Sequence, residues 1–264
     1  MVEIQPVRRV DRGRVADQIL DDLRERILSG ALPDGTRLPA ERDLAVQYGV
    51  SGATVREAVR ALSAMGLIRS KHGSGSSVTA HGDTLVGLSL ASVARLEKMG
   101  PADVLGILGV LVGHAAELAA RHATDEELAT LRVAVEAIVP VTNVAQTADS
   151  LRVYLRTLVE ISHNPLLATL CRFLIDLQID LALERSGGAV ESWRRVADAL
   201  QTERTDIVDA LEARDPARAL ELARAYQQRT LALIESSPET TARGASNPDL
   251  SRLLQSWAAG NAHS

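Results

Sequence analysis

Between Asp83 and about Glu235 no stretch alternates apolar and polar residues as a half-buried strand would. Helical spacing is interrupted only where breakers sit: Gly100-Pro101, Pro140, Asn164-Pro165, Gly187-Gly188 and Asp215-Pro216. Proline cannot continue a helix and glycine ends one cheaply, so the breaks predict helices over roughly 84–97, 102–121, 125–138, 147–161, 165–184, 190–213 and 216–234. Such a segment can bury its apolar faces only as a helix bundle, of six or seven members. Composition agrees. Aromatics are 2% of the 264 residues, so cores must be built from Leu, Val, Ile and Ala, and Ala and Leu favour helices where strands favour aromatic and β-branched residues.

The front of the chain reads differently. Val15, Ile19, Leu23 and Ile27 recur every four residues, one face of an amphipathic helix that Gly30 stops; Pro33-Asp34-Gly35 then marks a turn. A second helix follows Pro39 with Leu44, Ala45 and Tyr48 inward. After a turn at Gly49-Val50-Ser51, a third carries Val55, Ala58, Val59, Leu62 and Met65 on one face up to Gly66. Two β-prone pieces, Leu67-Ile68-Arg69 and Ser77-Val78-Thr79, flank the tip Lys71-His72-Gly73-Ser74-Gly75. Helix, helix, turn, helix, hairpin is the order of a winged helix-turn-helix. Residues 74–82 are small and polar and read as the linker.

Charge is split. The chain carries −5 overall, but residues 1–80 sum to +2 and the remainder to −7, which suits a protein that presents its front to phosphate. The lone Cys171 excludes an intramolecular disulfide framework and a cysteine-rich zinc site, and its apolar surroundings make it a small core residue. The longest apolar run, Val104 to Val112, is too short to span a bilayer, and the N-terminus lacks the apolar core of a signal peptide. A cytoplasmic protein with no membrane partner is expected. Nothing reads as an enzyme: there is no nucleophile elbow, no phosphate-cradling glycine loop opening a helix and no cluster of acid and base candidates.

The third helix is the candidate reading element. With its apolar face committed to the core, the opposite face shows Thr54, Arg56, Glu57 and Arg60, and Ser51 stands where it caps the helix start. Arginines in such a helix can donate to guanine N7 and O6 in the major groove, while hydroxyls reach bases or phosphates.

The residues Arg37-Leu38-Pro39-Ala40-Glu41-Arg42-Asp43-Leu44-Ala45, Gly49-Val50-Ser51, Thr54-Val55-Arg56-Glu57-Ala58-Val59-Arg60-Ala61-Leu62, Gly66-Leu67-Ile68 and His72-Gly73-Ser74-Gly75 resemble the DNA-binding domain of the GntR family, nearly continuously over some sixty positions. The resemblance implies operator contacts by Arg42 and Arg56, places Ser51 and Thr54 at the DNA surface, and sets the wing tip His72-Gly73 in the minor groove; Arg60 and Lys71 complete the expected surface. Two departures stand out. Gly52 occupies a position where the family usually has arginine, and Ala40 one where serine commonly caps the second helix, a loss of about 1 kcal/mol at most. DNA binding with a shifted operator preference is expected.

The rest resembles the FadR-type (FCD) branch of that family, on Leu118-Ala119-Ala120-Arg121-His122-Ala123-Thr124, Asn164-Pro165-Leu166-Leu167 and Ile207-Val208-Asp209-Ala210-Leu211-Glu212-Ala213-Arg214-Asp215. The resemblance implies homodimers, which also make a palindromic double-stranded operator readable by two winged helices. Most members of the branch hold a metal with an Asp and three His. By register those positions are here Leu151, Leu155, Arg204 and Tyr226, a set that cannot bind a divalent cation, so neither metal nor cofactor is expected. His114, His122 and His163 lie on separate segments without ligand spacing.

Leu151 and Leu155 share a face with Leu158, and Leu108 and Val112 stand near positions where the family often has Arg and Glu. This predicts an apolar pocket for an amphipathic effector such as a fatty acid or acyl-CoA, its anion on Arg204 and a hydrogen bond from Tyr226. The competing expectation is that these leucines only fill a core.

The chain is thus expected to be mainly α. Residues 1–79 form a winged helix-turn-helix with a small β-hairpin wing, and 80–235 an all-α FCD-type bundle that dimerises and binds effector. Residues 236–264 form a mobile tail with a possible amphipathic helix on Leu250, Leu253, Leu254 and Trp257, either frayed or serving as a lid. The leading functional expectation is a ligand-responsive repressor; the alternative is a constitutive dimeric repressor whose bundle binds no effector.

Overall fold

A computed structural model describes residues 12–71, 75–79, 82–97 and 101–236. The chain divides into two compact units, one extending to Leu88 and the other beginning at Ser89.

The first unit opens with α1 (Arg12–Leu28), whose four-residue apolar repeat is buried at Ile19, Leu23 and Ile27. Helix α2 (Glu41–Tyr48) starts at Ala40 with no side-chain cap and ends at Gly49, whose φ of 65° lies in the left-handed region that glycine enters without a Cβ clash. Helix α3 (Gly52–Ala64) buries Val55, Ala58, Val59 and Leu62 against α1 and α2. Strands β1 (Ile68–Lys71) and β2 (Gly75–Val78) pair antiparallel, from Ile68 opposite Val78 to Lys71 opposite Gly75.

The strand expected at Ser77-Val78-Thr79 therefore starts two residues earlier, at Gly75 and Ser76, which the sequence placed in the wing tip and linker. The reason is that β2 is paired on both edges: besides β1, the Leu38 N–H donates to the Ser76 carbonyl at 2.8 Å and the Val78 N–H to the Thr36 carbonyl at 2.9 Å. Val78 is fully buried in the same core as Leu38, Leu44 and Leu67.

Helix α4 (Gly82–Leu96) contains the boundary between the units. The bundle comprises α5 (Pro101–His122), α6 (Asp125–Glu136), α7 (Val144–Glu160), α8 (Pro165–Ser186), α9 (Val190–Ala199), α10 (Gln201–Glu212) and α11 (Pro216–Glu235). Its starts are strongly marked. Thr124 and Glu127 form a reciprocal capping box, and the side chains of Asn143, Asn164 and Asp215 each accept from a first-turn backbone N–H. Helices α5 and α11 approach most closely through glycine: a Cβ on Gly113 would stand 2.6 Å from Arg224 Cγ, and one on Gly109 3.4 Å from Gln227 Cβ.

The single helix expected over 190–213 is two, hinged at Leu200. No breaker marks the place. The Arg204 guanidinium donates through Nη2 to the Ala197 carbonyl, one of the acceptors freed where α9 ends, so the break is compensated by a side chain seven residues on. Buried Leu200 lets both halves keep their apolar faces in one core, with Trp193 and Ala197 on one side and Ile207, Val208 and Leu211 on the other.

Candidate functional site

On α3 the Ser51 side chain caps the helix, accepting the Thr54 N–H at 3.2 Å, and the two hydroxyls lie 2.8 Å apart. Ser51 is exposed, but Thr54 is only 8% exposed. The expected outward position of Thr54 is corrected by this placement. Thr54 precedes Ala58 and Leu62 by four and eight residues, so it lies on the buried stripe and steadies the cap from inside. Arg42, Arg56 and Arg60 are all exposed. Arg56 Nε sits 3.2 Å from Glu41 Oε2, tying the third helix to the start of the second, whereas Arg42 and Arg60 make no ion pair among the described residues. Lys71 ends β1 opposite Gly75. His72 and Gly73 lie outside the described residues, as does the tail beyond Ser236.

A helix start with exposed arginines and a capped, rigid first turn can enter a groove of duplex DNA, and the adjoining hairpin can follow the backbone. The scaffold behind it is braced: the Tyr48 hydroxyl on α2 donates to the Asp22 carboxylate on α1, which also accepts from Arg26 Nε at 3.1 Å. The tyrosine bond holds Asp22 below the ordinary carboxylate range, while burial, aided by that bond, pushes the Tyr48 phenol up to about 12.

The bundle holds a cavity of about 80 Å³, against the roughly 10–15 Å³ that one water needs by the same measure. Leu151 and Leu155 from α7, Arg204 from α10 and Tyr226 from α11 line it. Leu108 and Val112 do not. They are completely buried in the surrounding core, because the close glycine approach of α5 to α11 packs that face of α5 against protein.

Sequence reasoning missed a further wall. Trp193 and Val196 of α9, with Leu200 at the hinge, also line the cavity, and Trp193 Nε1 donates to Ser186 Oγ at 2.8 Å. A tryptophan in so aromatic-poor a chain was the available signal. Gln178 was missed too; its signal was a polar residue, one of two with Asp176, inside the otherwise apolar run Phe173–Ile179.

Arg204 is 1% exposed and is the one charged side chain among the described wall residues. Its Nη2 donates to Gln201 Oε1 at 2.9 Å and to the Ala197 carbonyl; Nε reaches Gln201 Oε1 at 3.3 Å. Nη1 donates to no group, and no carboxylate pairs with the guanidinium, among the described residues. Beside it the Tyr154 and Tyr226 rings meet edge to face, with centroids 6.4 Å apart. Burial pushes the Tyr154 phenol well up and holds it protonated, its hydroxyl without a partner among the described residues. Gln178 Nε2 donates to Gln227 Oε1 at 3.1 Å, which leaves Gln178 Oε1 and Gln227 Nε2 buried without partners among the described residues.

Two leucines, a cation and a phenol at the register of the family's metal ligands do not fit a divalent ion, since they supply at most one weak donor and a like charge. Two histidines of the bundle pair with carboxylates instead: His114 lies against Glu117 at 3.2 Å and His163 against Glu127 at 3.0 Å, both half-exposed. Among the described residues no three His, Cys, Asp or Glu side chains gather as a metal group, and no helix is long and apolar enough to cross a membrane.

Comparison with known proteins agrees with this geometry. Residues 15–78 match the family described as bacterial regulatory proteins, gntR family, and residues 103–229 match the FCD domain. The chain is 32% identical over 224 residues to the uncharacterized HTH-type transcriptional regulator Rv0494 of Mycobacterium tuberculosis, covering 82% of this chain and 88% of that protein. It is 27% identical over 223 residues to the HTH-type transcriptional repressor NanR of Escherichia coli, covering 79% and 80%. The solved structure of a Streptococcus agalactiae GntR shares the fold, with a TM-score of 0.59 at 22% identity over 84% of this chain and all of that one. With a gntR winged helix at the front and an FCD bundle behind it, the chain belongs to the GntR family of DNA-binding transcriptional regulators.

Proposed function

We propose that this regulator is a repressor, acting as a homodimer on a palindromic operator, whose operator affinity responds to an amphipathic organic acid bound in the FCD cavity without a metal. Arg42, Arg56 and Arg60 with Ser51 form the groove-facing surface, Lys71 and His72-Gly73 belong to the wing contact, and Thr54 supports the surface from behind. The repressor role draws on the name of the NanR relatives. The chain is a binding protein and not an enzyme, in keeping with relatives that are transcriptional regulators.

One observation carries the effector reading: Arg204, 1% exposed and without a counter-ion among the described residues, stands at the wall of a mostly apolar cavity. Sequestering an unpaired charge costs several kcal/mol, and a ligand carboxylate on the free Nη1 offsets that cost with a charge-assisted hydrogen bond. Tyr226 supplies a second donor, and Leu151, Leu155, Val196 and Leu200 receive the chain. Because Arg204 is the one charged wall residue, the reading favours a free fatty acid of short or medium length over an acyl-CoA, whose several phosphates would need more cations.

A constitutive repressor is the second reading. It is favoured by the same side chain, since Arg204 already stitches the α9–α10 break through Ala197. Calorimetric titration of the full-length protein with octanoate, decanoate and zinc chloride separates the two. Saturable binding of an acid, lost in Arg204→Met, supports the effector reading. Binding of zinc alone, or of nothing, overturns it.

A further inference from the structure

Helix α9 is bounded by a hinge at each end. Before it stand Gly187 and Gly188, with φ of 60° and 78°, values open to glycine because it carries no Cβ. The helix then starts at Ala189 with no side-chain cap, and it ends at the Leu200 break. Its ten residues turn Trp193, Val196 and Ala197 toward the cavity and Glu191, Arg194, Arg195 and Asp198 toward solvent. A helix whose apolar stripe borders a cavity has fewer atoms within dispersion reach on that side than one packed on protein. So short a helix does not hold itself in water without tertiary contacts.

Each hinge is crossed by a side chain. At the first, Ser186 Oγ accepts from the Gly188 N–H at 3.3 Å and from Trp193 Nε1 at 2.8 Å, and donates to the Leu183 carbonyl at 3.0 Å. One hydroxyl thus ties the start of α9 to the end of α8. At the second, Arg204 Nη2 on α10 donates to the Ala197 carbonyl. From the outer face Arg194 Nη2 adds a longer bond to the Val141 carbonyl at 3.4 Å. We propose that α9 is a gate: it opens as a unit on Gly187-Gly188 and Leu200 to let the effector enter and leave, with Ser186 and Arg204 as the latches that close it. What passes through rests on the effector reading above; the opening itself does not. Segments held by few contacts open locally at a free energy below that of global unfolding, and such openings often set how fast a ligand leaves a covered site.

The Ser186 latch is the one to cut, because Ser186→Ala leaves Arg204 and the apolar walls in place. Hydrogen exchange of the full-length protein, read by mass spectrometry, is expected to show residues 189–200 exchanging together, roughly tenfold or more faster than the interiors of α8 and α11. In Ser186→Ala that exchange is expected to quicken by a further factor of roughly ten, the effect of about one hydrogen bond, with α5, α8 and α11 unchanged. Stopped-flow binding of octanoate, followed by Trp193 fluorescence in a Trp257→Phe background, supplies the kinetic arm. Association and dissociation are both expected to be faster in Ser186→Ala by a similar factor, so that the dissociation constant moves much less than either rate. A merely structural role for Ser186 would not move the two rates together. Protection of 189–200 equal to that of α8 and α11, exchange that quickens in all helices at once, or an association rate untouched by Ser186→Ala each overturns the gate and leaves the effector reading standing. If neither octanoate nor decanoate binds the unaltered protein, the effector reading falls and the entry role of α9 falls with it.

Discussion

Arg56 Nε on the third helix lies 3.2 Å from Glu41 Oε2 at the start of the second. Both side chains are about half-exposed, so the pair contributes little to stability. Its effect is on direction: it holds one arginine of the proposed DNA-facing surface in a fixed pose. Replacing Arg56 with Ala is expected to weaken operator binding by about 1–3 kcal/mol while leaving non-specific binding much less changed. Glu41→Gln is expected to raise affinity for all duplexes and narrow the gap between operator and random sequence. Fluorescence anisotropy on an operator enriched from random duplexes, at two salt concentrations, reads both.

Thr54 separates a positioning role from a contact. Its hydroxyl is turned inward on Ser51, so Thr54→Val is expected to leave the preferred operator sequence unchanged. Ser51→Ala, which removes the cap itself, is expected to cost about 1 kcal/mol of stability. Enrichment from random duplexes and thermal unfolding check the two; a new base preference in Thr54→Val contradicts the inward placement.

Gly113 is a packing requirement. A Cβ there meets Arg224 Cγ at 2.6 Å, so Gly113→Val is expected to destabilise the bundle by about 1–3 kcal/mol through overpacking of α5 against α11. Urea unfolding followed by circular dichroism measures it.

The start of α6 carries a pH dependence. Glu127 accepts the Thr124 backbone N–H at 2.8 Å and also faces His163, and these contacts, the backbone bond foremost, hold its carboxyl below the ordinary range. A carboxyl lowered on folding stabilises the fold above its unfolded pKa, about 4.3, and that contribution disappears as pH falls through the lower folded value. Glu127→Gln keeps an acceptor for the Thr124 N–H but cannot titrate, so its unfolding free energy is expected to fall less steeply between about pH 5 and 3. An unchanged slope in acid titration contradicts this.

Much of this architecture was legible in the chain. Apolar spacing located α1 and α3, and Asn164-Pro165 and Asp215-Pro216 mark helix starts because a cap and a first-turn proline act locally. What escaped was tertiary in origin. The break at Leu200 has no breaker residue, because it is held by Arg204 reaching back to Ala197. Thr54 looked outward because a threonine is polar, yet its stripe position and the Ser51 hydroxyl turn it inward. Register alone brought Leu151, Leu155, Arg204 and Tyr226 to one cavity, while the depth of Leu108 and Val112 depended on how closely two glycines admit α11.

The most direct measurement is operator affinity of the full-length protein with and without saturating organic acid, taken for the unaltered chain and for Arg204→Met. The acid is expected to shift the unaltered protein's operator dissociation constant by roughly 5–150-fold, the usual range of coupling between two sites, and that response is expected to vanish in the variant. An operator affinity indifferent to every acid that binds, or a response of equal size in Arg204→Met, would contradict it.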